Sequence, residues 1–539
     1  MPELVRTSRP LVMGRGGAVA SGHPLASRAG LEMLRRGGNA ADATIATAAA
    51  LAVVEPQMSG LHGDGFFLVR EPSGQAVVFN ATGVAPRAAS AERFGDELPR
   101  RGAASASVPG LVDGWLTLHA RHSRLPLKDL LAPAISYARD GYAATQRLCA
   151  FIQQDARDLA ADPGCSAIFM PKGQVPRTGD VIRQAALAST LERLAAHGRS
   201  DFYEGETAAR CAGFCEANGG FITVEDLRAT HTELQDPIET SYRGYTVLEA
   251  PPNSTGHVLL QELNIVEQFD LASMGFLSAE HIHTLVEAKK LAFADREAFC
   301  GDPRFVDVPL EMLLSTARAR EQAGQIDPRR AAHRPVAAGA PMGTGDTTYF
   351  AVVDADGFAI SAIQSLNQAW GAATLDPGTG MLLNNRMLYW HLEPEHPNRL
   401  EPGKRVRHTM NPPMVLRDGN LSIVFGTPGA DQQVQVNLQV LTAIIDFGLD
   451  PQEAVEMPRW RSFQPGGESD WPHGTSSNLL VENRMPSETL RGLEERGHSL
   501  EIVGPLEGGC NEQVIMIHPG NGMLMAASDP RRDGYALAL

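Results

Sequence analysis

The chain has 539 residues, with 47 Lys+Arg against 63 Asp+Glu and a formal net charge of −16. Charged residues make up 20% and hydrophobic residues 43%, values that suit a folded soluble protein, and the acidic balance argues against nucleic-acid binding as its main business. No apolar run reaches the roughly 18 residues that a membrane-spanning helix needs. The opening MPELVRTSRPLVMGRGG carries arginines but no apolar core of roughly 7–15 residues ahead of a cleavage site, so a cytoplasmic location is the default expectation. The six cysteines, Cys149, Cys165, Cys211, Cys215, Cys300 and Cys510, are sparse for the length, which suits a reducing compartment. Cys211 and Cys215 stand four apart with no His close by in sequence, and no metal site is expected there. Length divided by about 150 allows three or four domains.

In chain order, residues 28–55 repeat apolar positions at helical spacing and break at Gly37-Gly38-Asn39. They resume as an Ala-rich helix that Asp42 helps to start and Glu55 closes, apolar enough to predict burial. Residues 59–65 are turn-rich and lead into a short strand at 66–69, while 108–143 and 182–230 read as helices separated by Gly and Pro. Residues 280–297 place Leu285, Ala288, Leu291 and Ala292 on one side and predict an amphipathic helix. His281 and His283 within it are two apart and do not share a face, which favours ordinary histidines over metal ligands. The Pro- and Gly-rich stretch 325–346 predicts an irregular exposed loop, with Asp327, Arg329 and Arg330 as a solvated charge cluster. After it, residues 347–353, 354–357 and 358–363 predict strand, tight turn and return strand. Residues 421–425, 426–430 and 434–445 predict strand, turn and helix. Strands and helices in both halves, without an internal repeat, indicate an α/β layered fold.

There is no G-x-S-x-G elbow, H-E-x-x-H, P-loop or paired CxxC. What stands out is the junction Gly345-Asp346-Thr347-Thr348, where the loop runs straight into a hydroxyl residue opening a strand. That arrangement suits an N-terminal nucleophile made by self-cleavage. The Thr347 hydroxyl attacks the Asp346 carbonyl, and hydrolysis of the resulting ester frees an α-amino group on Thr347. With a pKa of about 8, that amine can act as base for its own hydroxyl near neutrality. An ordinary strand residue fits the same pattern. With a tight turn at 354–357, Thr347 falls across from Gln364 or Ser365, so the Ser365 hydroxyl is placed to support the nucleophile. Asn367 lies two residues further along the same face; plain turn or surface polarity accounts for both residues equally well.

Several segments carry a wider likeness. They are Ala18-Val-Ala-Ser-Gly-His-Pro24, Gly37-Gly-Asn-Ala-Ala-Asp42, Val108-Pro-Gly-Leu-Val-Asp-Gly-Trp115, Asn218-Gly-Gly220 with Glu225-Asp-Leu227, Thr347-Thr348, Leu382-Leu-Asn-Asn-Arg-Met387, Gly426-Thr-Pro-Gly429 and Ser528-Asp-Pro-Arg531. In their order and spacing the chain resembles the γ-glutamyltransferase family of N-terminal-nucleophile hydrolases over nearly its whole length. The resemblance implies an α/β fold of the four-layer αββα kind, with one intertwined core built by two fragments. These are a large subunit, 1–346, ending in the cleavage loop 325–346, and a small one, 347–539. It implies acyl-enzyme chemistry on a small-molecule amide, with water or an amine taking the acyl group and no cofactor or metal required. Nothing in the sequence identifies an acceptor site, so hydrolysis is favoured over transfer, and charge and hydropathy favour neither a nucleic-acid nor a membrane partner. The two fragments would form a heterodimer, and whether two heterodimers associate stays open. Thr347 matches the nucleophile and Thr348 the second Thr of the family's pair. Ser365 stands where a supporting hydroxyl belongs, Asn367 matches a substrate-contacting Asn, and Gly429 and Ala430 occupy the oxyanion position. Ala430 in place of a second Gly keeps its backbone N–H donor.

The departures bear on substrate. The family's carboxylate-clamping Arg belongs in the segment equivalent to Asn80-Ala-Thr-Gly83, and the nearest Arg here, Arg87, does not align with it. Arg386 and Tyr389 replace the Gln and Asp that hold a substrate α-amino group, and His408-Thr409 replace a Ser-Ser pair. A cation at 386 repels an ammonium and attracts a carboxylate. One reading is therefore an acyl group with a carboxylate and no α-amino group, glutaryl- or oxamate-like. The other has Arg386 in a surface ion pair and ordinary γ-glutamyl chemistry, as in glutathione hydrolysis. A reading of another class is a catalytically silent binding homologue.

Overall fold

Side chains alternate across a strand, and the hairpin after residue 345 uses both faces: Tyr349, Ala351 and Val353 enter one buried cluster, Phe350 and Val352 another. The structure, a computed structural model, describes residues 7–333, 345–464 and 473–539. In chain order the strands that matter are β1 (Val12–Gly14), β2 (Gly17–Ser21), β3 (Asp64–Arg70), β4 (Ala76–Ala81), β5 (Glu233–Gln235), β6 (Ile238–Tyr242), β7 (Tyr245–Glu249), β8 (Gly345–Asp354), β9 (Ala359–Gln368), β10 (Met414–Arg417), β11 (Asn420–Gly426), β12 (Gln513–Ile517), β13 (Leu524–Ser528) and β14 (Tyr535–Ala538). They form two seven-stranded sheets, ordered β14-β2-β8-β9-β3-β4-β5 and β1-β13-β12-β11-β10-β7-β6, with antiparallel neighbours throughout. Strands from either side of residue 346 interleave: β8 and β9 sit between β2 and β3. The prior of several domains gives way to these shared sheets.

One apolar cluster joins the sheets, with Ala20, Phe66, Leu68 and Tyr349 from the first meeting Leu248, Met414, Val424 and Ile515 from the second. The helices used below are α1 (Pro24–Arg35), α2 (Ala40–Val54), α3 (Leu111–His122), α4 (Glu206–Ala217), α5 (Gly256–Val266), α6 (Ala279–Phe299) and α7 (Gln432–Ile445). The first four share a cluster with Phe67 and Phe350; α5 to α7 share another with Val415 and Phe425. Every residue of α2 is buried, and its start is closed by a reciprocal capping box between Asn39 and Asp42, as the Ala-rich run predicts. Asp354 ties the hairpin turn to that helix, accepting from the Asp356 and Phe358 N–H groups and from Ala40 N–H.

The amphipathic expectation for 280–297 is corrected. The helix α6 is buried on nearly all sides, including Glu287, Lys289, Lys290, Arg296 and Glu297. Ion pairs make that possible: Lys290 Nζ lies 2.7 Å from Glu287 Oε1, and Glu297 is held by Arg296 at 2.6 Å and Arg407 at 3.1 Å. His281 packs edge-on against Phe447, and both ring nitrogens of His283 are engaged, by His498 and the Asp327 carbonyl. Asp327, Arg329 and Arg330 are exposed, as expected. Among the described residues no helix is long and apolar enough to cross a membrane.

Candidate active site

The hairpin places the candidate nucleophile through an irregularity. Asp346 pairs with Asn367 and Thr348 with Gln364, so β9 carries one extra residue there and its Ser365 and Leu366 together stand opposite Thr347. Bulges re-aim side chains, and here the Thr347 hydroxyl donates to Ser365 Oγ at 3.2 Å. Gln364, the other expected partner, turns to α2 and binds the Ala48 carbonyl and Ser59. Thr348 donates to Glu55 Oε2 at 2.7 Å, a partner on the residue that closes α2.

From Ser365 a chain of hydrogen bonds runs onward. Its Oγ accepts from Asn367 N–H at 2.8 Å, with Asn367 held at φ +88°. The Asn367 side chain accepts from Arg386 Nη1 at 2.9 Å and donates to the Asn385 carbonyl at 3.1 Å. Arg386 is buried, and its Nε donates to Asp64 Oδ2 at 3.3 Å. The expectation of a surface ion pair is thus corrected: the pair exists, but inside. Burial pushes the Asp64 carboxyl above its ordinary pKa, against the pull of Arg386 and of a hydrogen bond from Gly83 N–H. His408 joins here, with Nε2 3.9 Å from Asp64 Oδ2, and burial with Arg386 and Arg405 holds it neutral. Thr409 is buried beside it, its carbonyl accepting from Asn411. Arg87 stays outside, largely exposed and paired with Asp226.

The other side of the site is the turn after β11. The Tyr349 ring lies against the Gly426 backbone, so β11 ends over the strand that carries Thr347. Gly429 adopts φ +121°, and a Cβ there would sit 2.3 Å from Cys510 Sγ. Ala430 follows in the left-handed region at φ +50°. Asp431 then accepts from Arg296, Tyr389 Oη and Gln464 Nε2. The 3₁₀ turn Arg386–Tyr389 therefore bridges the two halves, with Arg386 on Asn367 and Tyr389 on the residue after Ala430.

Glu512, close to the Gly426 backbone, is fully buried, which pushes its carboxyl up to about 8. A folded pKa above the unfolded value contributes stability that is complete below about pH 4.5 and is lost as pH rises through 8. At about 1.4 kcal/mol per unit, the unfolding free energy should fall by several kcal/mol between pH 5 and 8 from this group. Chemical denaturation of wild type and Glu512→Gln over that range checks it: the variant should show the shallower slope.

Cys211 and Cys215 correct another expectation, because a histidine does stand beside them. Their sulfurs and a ring nitrogen of His62 lie within 4.8 Å of one another, all buried. Asn384 N–H and Nδ2 both face His62 Nδ1, at 3.4 and 3.2 Å, and the amide cannot flip because its Oδ1 already accepts from Ser107 and Arg386 N–H. Nδ1 is therefore the acceptor, which leaves the ring proton on Nε2. The Cys215 thiol is pulled down to about 6, chiefly by a hydrogen bond from Cys211, with His62 assisting against burial.

The gamma-glutamyltranspeptidase family profile matches residues 26–539. The chain belongs to that family. It is 38% identical over 534 residues to the glutathione hydrolase-like YwrD proenzyme of Bacillus subtilis, covering 98% of this chain and 99% of that one. It is 36% identical over 535 residues to the oxamate amidohydrolase proenzyme of Klebsiella pneumoniae, covering 97% and 98%. The crystal structure of cephalosporin acylase from Bacillus halodurans superposes with a TM-score of 0.91 at 36% identity, over 100% of this chain and 98% of that one. This γ-glutamyltranspeptidase-family protein is accordingly an amidohydrolase with a mixed α/β fold.

Sequence reasoning singled out Thr347, Ser365, Asn367, Arg386, Tyr389, His408, Thr409, Gly429 and Ala430. Of these, the structure links Thr347, Ser365, Asn367 and Arg386 in one hydrogen-bonded chain, while Tyr389 donates to Asp431, the residue after Ala430. From sequence, Asp64 and Asp431 have no role and Glu55 has only that of closing α2. The only sequence signal was an acid set among the glycines of Gly63-Asp64-Gly65 and one directly after Ala430.

Proposed function

We propose that this protein is a self-processing amide hydrolase in which cleavage between Asp346 and Thr347 exposes Thr347 as the nucleophile of the fragment 347–539. The observation that carries the reading is the Thr347 hydroxyl resting on Ser365, in the β9 bulge opposite it. Thr347 Oγ attacks the amide carbonyl, and its α-amino group takes the hydroxyl proton and delivers it to the departing amine. The Gly429 and Ala430 N–H groups hold the oxyanion. Water then attacks the ester, releasing the acid and restoring the threonine. The two sheets, with α1 to α4 on one and α5 to α7 on the other, are read as a four-layer αββα sandwich whose strands come from both fragments.

The acyl group is read as one with a carboxylate and no α-amine. Arg386 is braced by Asn367 and Asp64, while Tyr389 is turned to Asp431, so the two positions that would hold an ammonium carry a guanidinium and a phenol in place of the family's Gln and Asp. The relative named for oxamate, an amide acid without an α-amine, agrees with this; the relative named glutathione hydrolase-like makes γ-glutamyl amides the second reading. Turnover of glutaryl- and γ-glutamyl-p-nitroanilide decides. The glutaryl compound should be preferred, and Arg386→Gln should cost it about 10–100-fold in kcat/KM, the worth of a charged hydrogen bond. A strong γ-glutamyl preference would establish the second reading.

A further inference from the structure

Thr347, Ser365 and Asp64 lie in a row across three neighbouring strands. Ser365 pairs directly with Asp64 between β9 and β3, and Thr347 reaches Ser365 from β8. The backbone there has no slack: a Cβ on Gly63 would sit 2.6 Å from the Ser365 carbonyl oxygen, so the turn presenting Asp64 is pressed against the strand carrying Ser365. Asp64 Oδ1 is taken by Gly83 N–H at 2.7 Å and Oδ2 by Arg386 Nε at 3.3 Å, with both side chains almost fully buried. A buried guanidinium without a counter-ion is costly, and one shared by two carboxylates holds each less tightly.

We infer that Asp64 is the resident counter-ion and positioning residue of Arg386, with which an incoming acyl carboxylate must share the guanidinium. The inference rests on the reading of Arg386 given above. In the free enzyme Asp64 offsets the Arg386 charge, and Asp64 at Nε and Asn367 at Nη1 help to aim the guanidinium. Asp64 therefore weakens binding of an anionic acyl group while fixing where it lies relative to Thr347. The two effects have opposite signs in kinetics. Without the Asp64 charge, the carboxylate no longer competes with Asp64 for Arg386 and binds more tightly, but it is less well aligned. A merely structural aspartate would not lower KM.

Asp64→Asn is the test, because the amide keeps an acceptor for Gly83 while removing the charge. Processed wild type and variant are compared on glutaryl- and butyryl-p-nitroanilide, which differ by the carboxylate. The expected result is a KM for the glutaryl compound lower by about 10-fold, a lower kcat, and a butyryl KM unchanged within about 2-fold. An unchanged or raised glutaryl KM overturns the inference. If Asp64→Asn alone does not mature, Asp64→Asn with Arg386→Gln removes both charges and should process normally; failure of the double variant makes Asp64 purely structural and also overturns it. Arg386→Gln separates the two readings. If it leaves the glutaryl-to-butyryl ratio untouched, the carboxylate role of Arg386 is wrong. If it collapses the ratio while Asp64→Asn leaves KM in place, only the counter-ion inference falls.

Discussion

Thr347→Ala should leave the chain uncut and lower amide hydrolysis by at least ~10⁴-fold, as loss of a catalytic nucleophile does. Both effects come from one oxygen. Thr347 Oγ lies 3.2 Å from Ser365 Oγ inside a strand whose pairing slips at that residue. Self-cleavage and turnover each require that oxygen to attack a carbonyl, so they should fail together. Thr347→Ser keeps the oxygen and should retain both at reduced rate. Thr347→Val keeps shape and β-branching and should fold without cutting. Thermal melts alongside gels and turnover assays separate loss of chemistry from loss of fold. A Thr347→Ala protein that still cleaves at this junction would show that another group does the cutting.

Gly429→Ala should cost ~10²–10³-fold in kcat, the usual worth of an oxyanion donor. The reason is conformational as well as steric. Gly429 holds φ +121°, a backbone region that side chains disfavour, and the added methyl would meet Cys510 Sγ at 2.3 Å. Relief of either conflict moves the turn, and with it the N–H groups of Gly429 and Ala430. Gly429→Ala combined with Cys510→Ala removes the clash but not the φ penalty, so it should recover only part of the rate. Ala430→Gly suits φ +50° and keeps the N–H, and should retain a rate within about 3-fold of wild type. Full activity in Gly429→Ala would place the oxyanion donors elsewhere.

Local chemistry made much of this fold readable in advance. Asn39 and Asp42 cap an Ala-rich helix, the turn at 354–357 closes its hairpin, and Gly426 to Ala430 leads a strand into a helix; each is decided by residues within one or two turns of one another. The candidate site was legible where the family likeness covered it, from Thr347 to Ala430. What stayed hidden depends on partners far apart in sequence. Arg386 reads as a lone cation until Asp64, 322 positions away, is seen beneath it. Tyr389 reads as a lost ammonium anchor until Asp431 is seen to hold it beside the turn after β11. The helix α6 reads as amphipathic because its charged face is covered by Arg407, 110 positions away from Glu297. The bulge opposite Thr347 has no signature either, since one extra residue in β9 leaves a run that still reads as a strand.

The most direct measurement of the central claim is the intact mass and N-terminal sequence of the purified protein. The account predicts two fragments of roughly 37 and 21 kDa, scaling 57.8 kDa to 346 and 193 residues, the smaller beginning Thr347-Thr348-Tyr349. A chain that stays whole while hydrolysing amides, or a small fragment that begins at any other residue, would contradict it.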